Sequence, residues 1–104
     1  MIAKVNVNLV LTTQERVIAQ LWDVDLIKDD LIESKDVSKS GAVEFIFSTT
    51  ISGESNPELQ LRILSMSEDE LFRSKISSDI ADLNIDKVTG FQEVSTIDFG
   101  IIEI

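Results

Sequence analysis

From Lys4 to Leu11 apolar and polar residues alternate, with Val5, Val7, Leu9 and Leu11 on one side and Lys4, Asn6 and Asn8 on the other. A period of two sends successive side chains to opposite faces of an extended chain, so the run predicts a half-buried strand. The signature returns further on. Val43, Phe45 and Phe47 alternate with Glu44 and Ser48 within Ala42 to Thr50. Leu59, Leu61 and Ile63 alternate with Gln60 and Arg62, and Ile97, Phe99 and Ile101 alternate with Asp98, Gly100 and Ile102. Gly41 precedes the second run, and a turn cluster with Gly53, Asn56 and Pro57 precedes the third.

Two segments admit a second reading. Thr12-x-x-Glu15 has the form of a capping box, and a helix from it would bring Ile18, Leu21, Trp22 and Asp25 to one face. That face would carry Asp25, whereas a strand puts Val17, Ala19 and Leu21 together, so the strand is preferred over Arg16 to Asp25. Ser67-x-x-Glu70 is a second possible capping box, and Leu71, Phe72, Lys75 and Ile76 have helical spacing, which leaves room for one short helix within 68–83. The echo between Asp30-Leu-Ile-Glu-Ser-Lys and Glu70-Leu-Phe-Arg-Ser-Lys reads as two strands in similar surroundings, not as a duplicated unit. Five or six short strands between turns, without regular helices interleaved, predict an all-β antiparallel sandwich forming one domain over residues 1–104.

Length and composition agree with one core. A chain of 104 residues buries roughly 60–70% of the surface its unfolded form exposes. With 43% hydrophobic and 27% charged residues it is too apolar for a disordered acidic tail. Nineteen acids against nine bases leave a formal charge of -10. Nucleic acid and bare anionic membrane are therefore poor partners, since both require a field of Lys and Arg. The acid begins abruptly: Lys4 and Arg16 outweigh Glu15 up to Trp22, whereas Asp23 to Asp36 hold six acids and two lysines. No cysteine is present, which excludes disulfides and thiolate chemistry. The alternating first dozen residues do not form a secretory signal, and the expectation is a cytoplasmic protein or an excised domain of a longer or exported one.

The stretch from Leu21 to Ser34 is the most informative for function. Asp23 and Asp25 lie two apart at a strand end, and a loop returning through Asp29 and Asp30 adds two more carboxylates. Oxygen ligands gathered in this way suit Ca²⁺, which accepts six to eight of them in flexible geometry. The competing reading is a solvated, turn-forming acidic loop.

The same stretch carries a resemblance. Val17 to Phe47, with Trp22-Asp-Val-Asp, Asp29-Asp30-Leu-Ile, a polar stretch, and Ser40-Gly41 leading into Val43-Glu-Phe-Ile-Phe, resembles the transthyretin-like (prealbumin-like) sandwich family. Asn56-Pro-Glu-Leu-Gln-Leu-Arg-Ile and Ile97-Asp-Phe-Gly-Ile-Ile resemble that family's next and closing strands. The resemblance implies a prealbumin-like sandwich acting as a binding module. The hydrolase branch of the family depends on histidines and a C-terminal Tyr-Arg-Gly-Ser, but this chain has no histidine and ends Ile101-Ile-Glu-Ile, so that activity is not implied. Asp23, Asp25 and Asp30 are also similar to the third calcium loop of synaptotagmin-type lipid-binding domains, although Glu33 stands where those domains usually have Gly.

Asp82-x-Asn84-x-Asp86 with Glu93 has the ligand spacing of an EF-hand loop, but Lys87 occupies the position that needs Gly, so an ordinary loop before the last strand is the better reading. With no His, Cys or Tyr, catalysis would rest on carboxylates, Lys and Ser/Thr alone. Trp22 is either a stacking platform or, as preferred, a core or core-edge residue like Phe45, Phe47, Phe72 and Phe99. The apolar ending Ile101-Ile102-Glu103-Ile104 is either paired in the sheet, the preferred reading, or offered to a second copy as a homo-oligomer contact.

Three functions follow in order. The first is a non-catalytic module that binds a protein partner, with optional calcium at Asp23, Asp25, Asp29 and Asp30. The second is a calcium-dependent lipid or membrane binder, and the third a small enzyme using carboxylates.

Overall fold

Each alternating run becomes a strand, and Val5, Val7, Leu9, Val43, Phe45, Leu59, Leu61, Ile63 and Ile97 turn inward. The computed structural model describes residues 2–12, 15–24, 27–48, 58–77, 84–88 and 94–104, with the backbone alone described at 2–3, 47–48, 84–88 and 94–95. Its strands are β1 (Ile2–Val10), β2 (Val17–Asp23), β3 (Asp30–Val37), β4 (Gly41–Ser48), β5 (Leu59–Ser65), β6 (Glu70–Arg73), β7 (Asn84–Val88) and β8 (Val94–Glu103). They form two sheets, ordered β4-β1-β8-β7 and β3-β2-β5-β6. Neighbours run antiparallel except β1 and β8, which are parallel. The fold is an all-β sandwich. Its core comprises Val5, Val7 and Leu9 of β1, Phe45 of β4 and Ile97 of β8, with Val17, Ala19 and Leu21 of β2 and Leu59, Leu61 and Ile63 of β5 from the other sheet. Burial of each large side chain there contributes about 1.5–3 kcal/mol. The strand reading of Arg16 to Asp25 holds over Val17–Asp23, because β2 lies between β3 and β5 and a continuous apolar inner face is what that position needs; Asp25 lies outside the described residues.

The closing strand departs from simple alternation. The register steps from Asn6 opposite Asp98 to Asn8 opposite Ile101, so Val7 faces two residues, Phe99 and Gly100. Gly100 takes φ +79 and donates its amide to Asp98 Oδ1 at 2.8 Å. One extra residue reverses the facing of everything after it. Ile101, expected inside with Ile97 and Phe99, is therefore 75% exposed, and Ile102 is buried instead. Ile101, Ile102 and Glu103 pair with β1, in keeping with the preferred reading of the C-terminal residues, while β7 pairs with the start of the strand at Val94 to Asp98.

Three further strands complete the sheets, and two of them, β3 and β6, bear out the reading of the echo at 30–35 and 70–75 as strands. Asp30 opens β3, so Asp29-Asp30-Leu-Ile is not simply a turn and the polar stretch after it is extended chain paired with β2. The possible helix over 68–83 is absent from its described part: Glu70–Arg73 is strand β6, and no α-helix occupies 68–77. Ser74 and Ser77 explain why. Ser74 Oγ accepts the Leu61 amide and Ser77 Oγ the Leu59 amide, each at 2.9 Å, so these hydroxyls continue the edge of β5 beyond the end of β6. Finally, Asn84–Val88 is strand β7 paired with β8, which replaces the expected loop and is incompatible with an EF-hand loop there. Asp82 and Glu93 of that pattern lie outside the described residues, as does the turn cluster at 52–57.

Candidate functional site

The outer face of the β3-β2-β5-β6 sheet holds the densest polar organisation among the described residues. Because Leu21 and Leu61 face inward, their neighbours Gln20, Trp22, Gln60 and Arg62 face outward, and the register pairs Gln20 with Arg62 and Trp22 with Gln60. Arg62 is the hub. Its guanidinium lies 4.4 Å from the Trp22 ring centroid, Nε donates to Gln60 Oε1 at 2.9 Å, and Nη2 makes a 2.6 Å ion pair with Asp29 Oδ2. Trp22 Nε1 donates to Gln20 Oε1 at 3.0 Å, and Gln60 Nε2 donates to the Ser74 carbonyl at 2.8 Å. The Arg62 side chain is only 11% exposed, so these bonds act where water screens them little. Trp22 is thus half-buried on the outer face, which is neither the inner core nor bare exposure, where the sequence reading has it as core or core edge.

Exposed apolar side chains lie near this network in register or in sequence. Leu31 is the register partner of Trp22 on β3 and is 47% exposed, while Ile27, in the loop joining β2 to β3, is 96% exposed. A solvated aliphatic side chain at a loop tip contributes nothing to the core, and near a built platform it offers a partner an anchor point.

The four carboxylates read as a metal site are distributed as follows. Asp23 ends β2 and Asp30 opens β3, directly opposite one another in register. Asp29 is held by Arg62, and Asp25 lies outside the described residues. Among the described residues no group of three acidic side chains is assembled to hold a metal ion. Sequence reasoning missed Arg62, Gln20, Gln60, Ile27 and Leu31. Alternation does place Trp22 and Arg62 on outward positions, but that they meet depends on pairing β2 with β5, some forty positions later, and no local pattern encodes that register.

The opposite side of the sandwich carries a different feature. Lys35 is on β3, where its register partner is the buried Ala19, so its side chain is directed between the sheets. It donates to the Glu44 carbonyl of β4, lies 5.4 Å from the Phe45 ring centroid, and is 3.7 Å from Glu33. A shallow groove of about 340 Å³, lined by Lys35, Val37, Lys39 and Val43 among others, runs beside it.

No protein-family model matches the sequence, and no curated protein is similar to it. A 9R-lipoxygenase from Cyanothece PCC8801 has a similar crystal structure, with a TM-score of 0.50 and 18% identity. The match covers 97% of this chain and 16% of that chain. The likeness supports the sandwich fold and nothing about activity.

Proposed function

We propose that this chain is a non-catalytic, protein-binding module with a transthyretin-like sandwich, docking its partner on the outer face of the β3-β2-β5-β6 sheet. The observation that carries the reading is the exposure of Leu31, the register partner of the stacked Trp22, and of Ile27, two residues before the Asp29 that Arg62 holds. A rigid aromatic and a guanidinium fixed by several bonds, near apolar side chains free to be covered, are the makings of an interaction hot spot. The transthyretin-like part rests on the sequence resemblance alone, since strands over Val43–Phe47, Leu59–Ile63 and Ile97–Ile102 are common to any all-β sandwich. The test compares affinity capture from source-cell extract by the wild-type domain and by Ile27→Ser/Leu31→Ser. A partner held by the first and released by the second supports the reading, and equal retention by both overturns it.

One observation favours calcium as an added ligand. Like charges directly opposite across two strands repel, and Asp23 and Asp30 stand in that relation with Asp29 adjacent. A divalent cation at the β2–β3 loop relieves the repulsion, and in the lipid-binding variant of this reading Ile27 is the tip that enters a bilayer. Calorimetric calcium titration of the wild type, Asp23→Asn and Asp25→Asn, with parallel thermal melts, decides it. Saturable binding lost in the variants supports the site; no heat and no melting shift at millimolar calcium removes both this reading and its lipid variant.

A further inference from the structure

We infer that the Trp22 end of the β3-β2-β5-β6 sheet takes a basic segment of its partner, one in which lysine or arginine residues flank an aliphatic or aromatic anchor. The inference rests on the docking reading above and adds the partner's chemistry. Among the described residues, four acids lie at this end of the sandwich. Asp23 and Asp30 close the β2–β3 ladder, Asp29 precedes Asp30, and Glu58 is brought in where its carbonyl accepts the Val24 amide at 2.8 Å. Two bases accompany them, Lys28 and Arg62, and Arg62 is already engaged by Asp29, Gln60 and Trp22. Among the described residues, four acids less two bases leave a local charge of -2 within a chain of -10.

Ile27 and Leu31 lie in the same short span, so apolar anchor points are rimmed by carboxylates. Such a surface attracts lysine and arginine from a distance and then buries an apolar side chain between them. It repels acidic partners and anionic lipid for the same reason. The opposite end of this sheet, at the β5–β6 hairpin, carries Glu68, Asp69 and exposed Met66, but lacks the stacked tryptophan. Acid alone does not distinguish the two ends; the built platform does.

Trp22 is the sole tryptophan, so its emission reports this end of the molecule selectively. The probes are three synthetic peptides of equal length in which leucine is flanked by lysine, by serine or by glutamate. The lysine peptide is expected to change Trp22 emission saturably, about tenfold more tightly than the serine peptide at low salt, with the advantage shrinking as salt rises. Ile27→Ser/Leu31→Ser and, separately, Asp30→Asn/Glu58→Gln are each expected to weaken it about tenfold. Glu68→Gln/Asp69→Asn at the far hairpin is expected to leave it unchanged, and thermal melts verify that each variant is folded. If the serine or glutamate peptide binds as tightly at Trp22, or Asp30→Asn/Glu58→Gln has no effect, the basic-segment inference fails while the docking face stands. If no peptide perturbs Trp22, or the lysine peptide ignores Ile27→Ser/Leu31→Ser, the docking face fails with it.

Discussion

The Arg62 guanidinium is stacked 4.4 Å from the Trp22 ring centroid while it closes a 2.6 Å ion pair on Asp29, so one side chain ties β5 to β2 and to the residue that leads into β3. Lysine cannot replace it. An ammonium is a single point charge and cannot stack, donate to Gln60 and reach Asp29 together. Arg62→Lys is expected to lower stability by about 1–2 kcal/mol and to shift Trp22 emission. Urea denaturation followed by tryptophan fluorescence measures both, and an unchanged midpoint with unchanged emission contradicts the role assigned to Arg62.

Ser74 and Ser77 give a second prediction. Their hydroxyls accept the amides of Leu61 and Leu59 in a buried setting, and Ser74 donates onward to the Lys75 carbonyl at 2.7 Å. Alanine would keep the packing almost intact but leave a buried strand amide without its acceptor, so each substitution is expected to cost about 1–3 kcal/mol. Hydrogen exchange supplies a site-specific check: Leu61 should lose protection in Ser74→Ala and Leu59 in Ser77→Ala. Loss of global stability without these local changes would sink the explanation.

What was legible in the sequence follows where each strand lies. The strands that read clearly are β1, β5 and β8, all central, and β4, whose Val43 and Phe45 enter the core, while central β2 reads as a strand in preference to a helix. The remaining edge strands carry weaker signals: β7 reads as a loop, β6 admits a helix, and β3 and β6 read as strands only through the echo of 30–35 in 70–75. An edge strand has one unpaired side and less apolar surface to hide, so charge is tolerated there and the period of two fades. Asp30–Val37, with acids and lysines at 30, 33, 35 and 36, shows this directly. Gly100 did carry a signal, because a lone glycine inside an alternating run marks a bulge. The acidic carboxylates were visible as a cluster; that Arg62 would engage Asp29 was not, since the two are separated by 33 positions.

Lys35 illustrates how an edge is managed. A lysine pointing inward from an edge strand discourages pairing with another molecule, and here it also occupies the Glu44 carbonyl on β4, the edge of the other sheet. Lys35→Met conserves most of the volume but frees that carbonyl and removes the charge. The variant is expected to associate at lower concentration than the wild type by sedimentation velocity. Identical sedimentation over the same concentration range would show that the edge is protected by other means.

Gly100 gives the last prediction. Its φ of +79 lies in the left-handed region, while an added Cβ would meet nothing within 4 Å, so backbone preference is separated from crowding. Gly100→Ala is expected to cost about 1–2 kcal/mol, and Gly100→Asn less, since asparagine tolerates this conformation better. The order Gly, Asn, Ala in denaturation midpoint is therefore the diagnostic outcome. An alanine variant as stable as the wild type would mean that the strand can shed its bulge. Residues after position 100 would then have to change their pairing with β1, and Ile102, now buried opposite Leu9, is the residue whose amide exchange would reveal it.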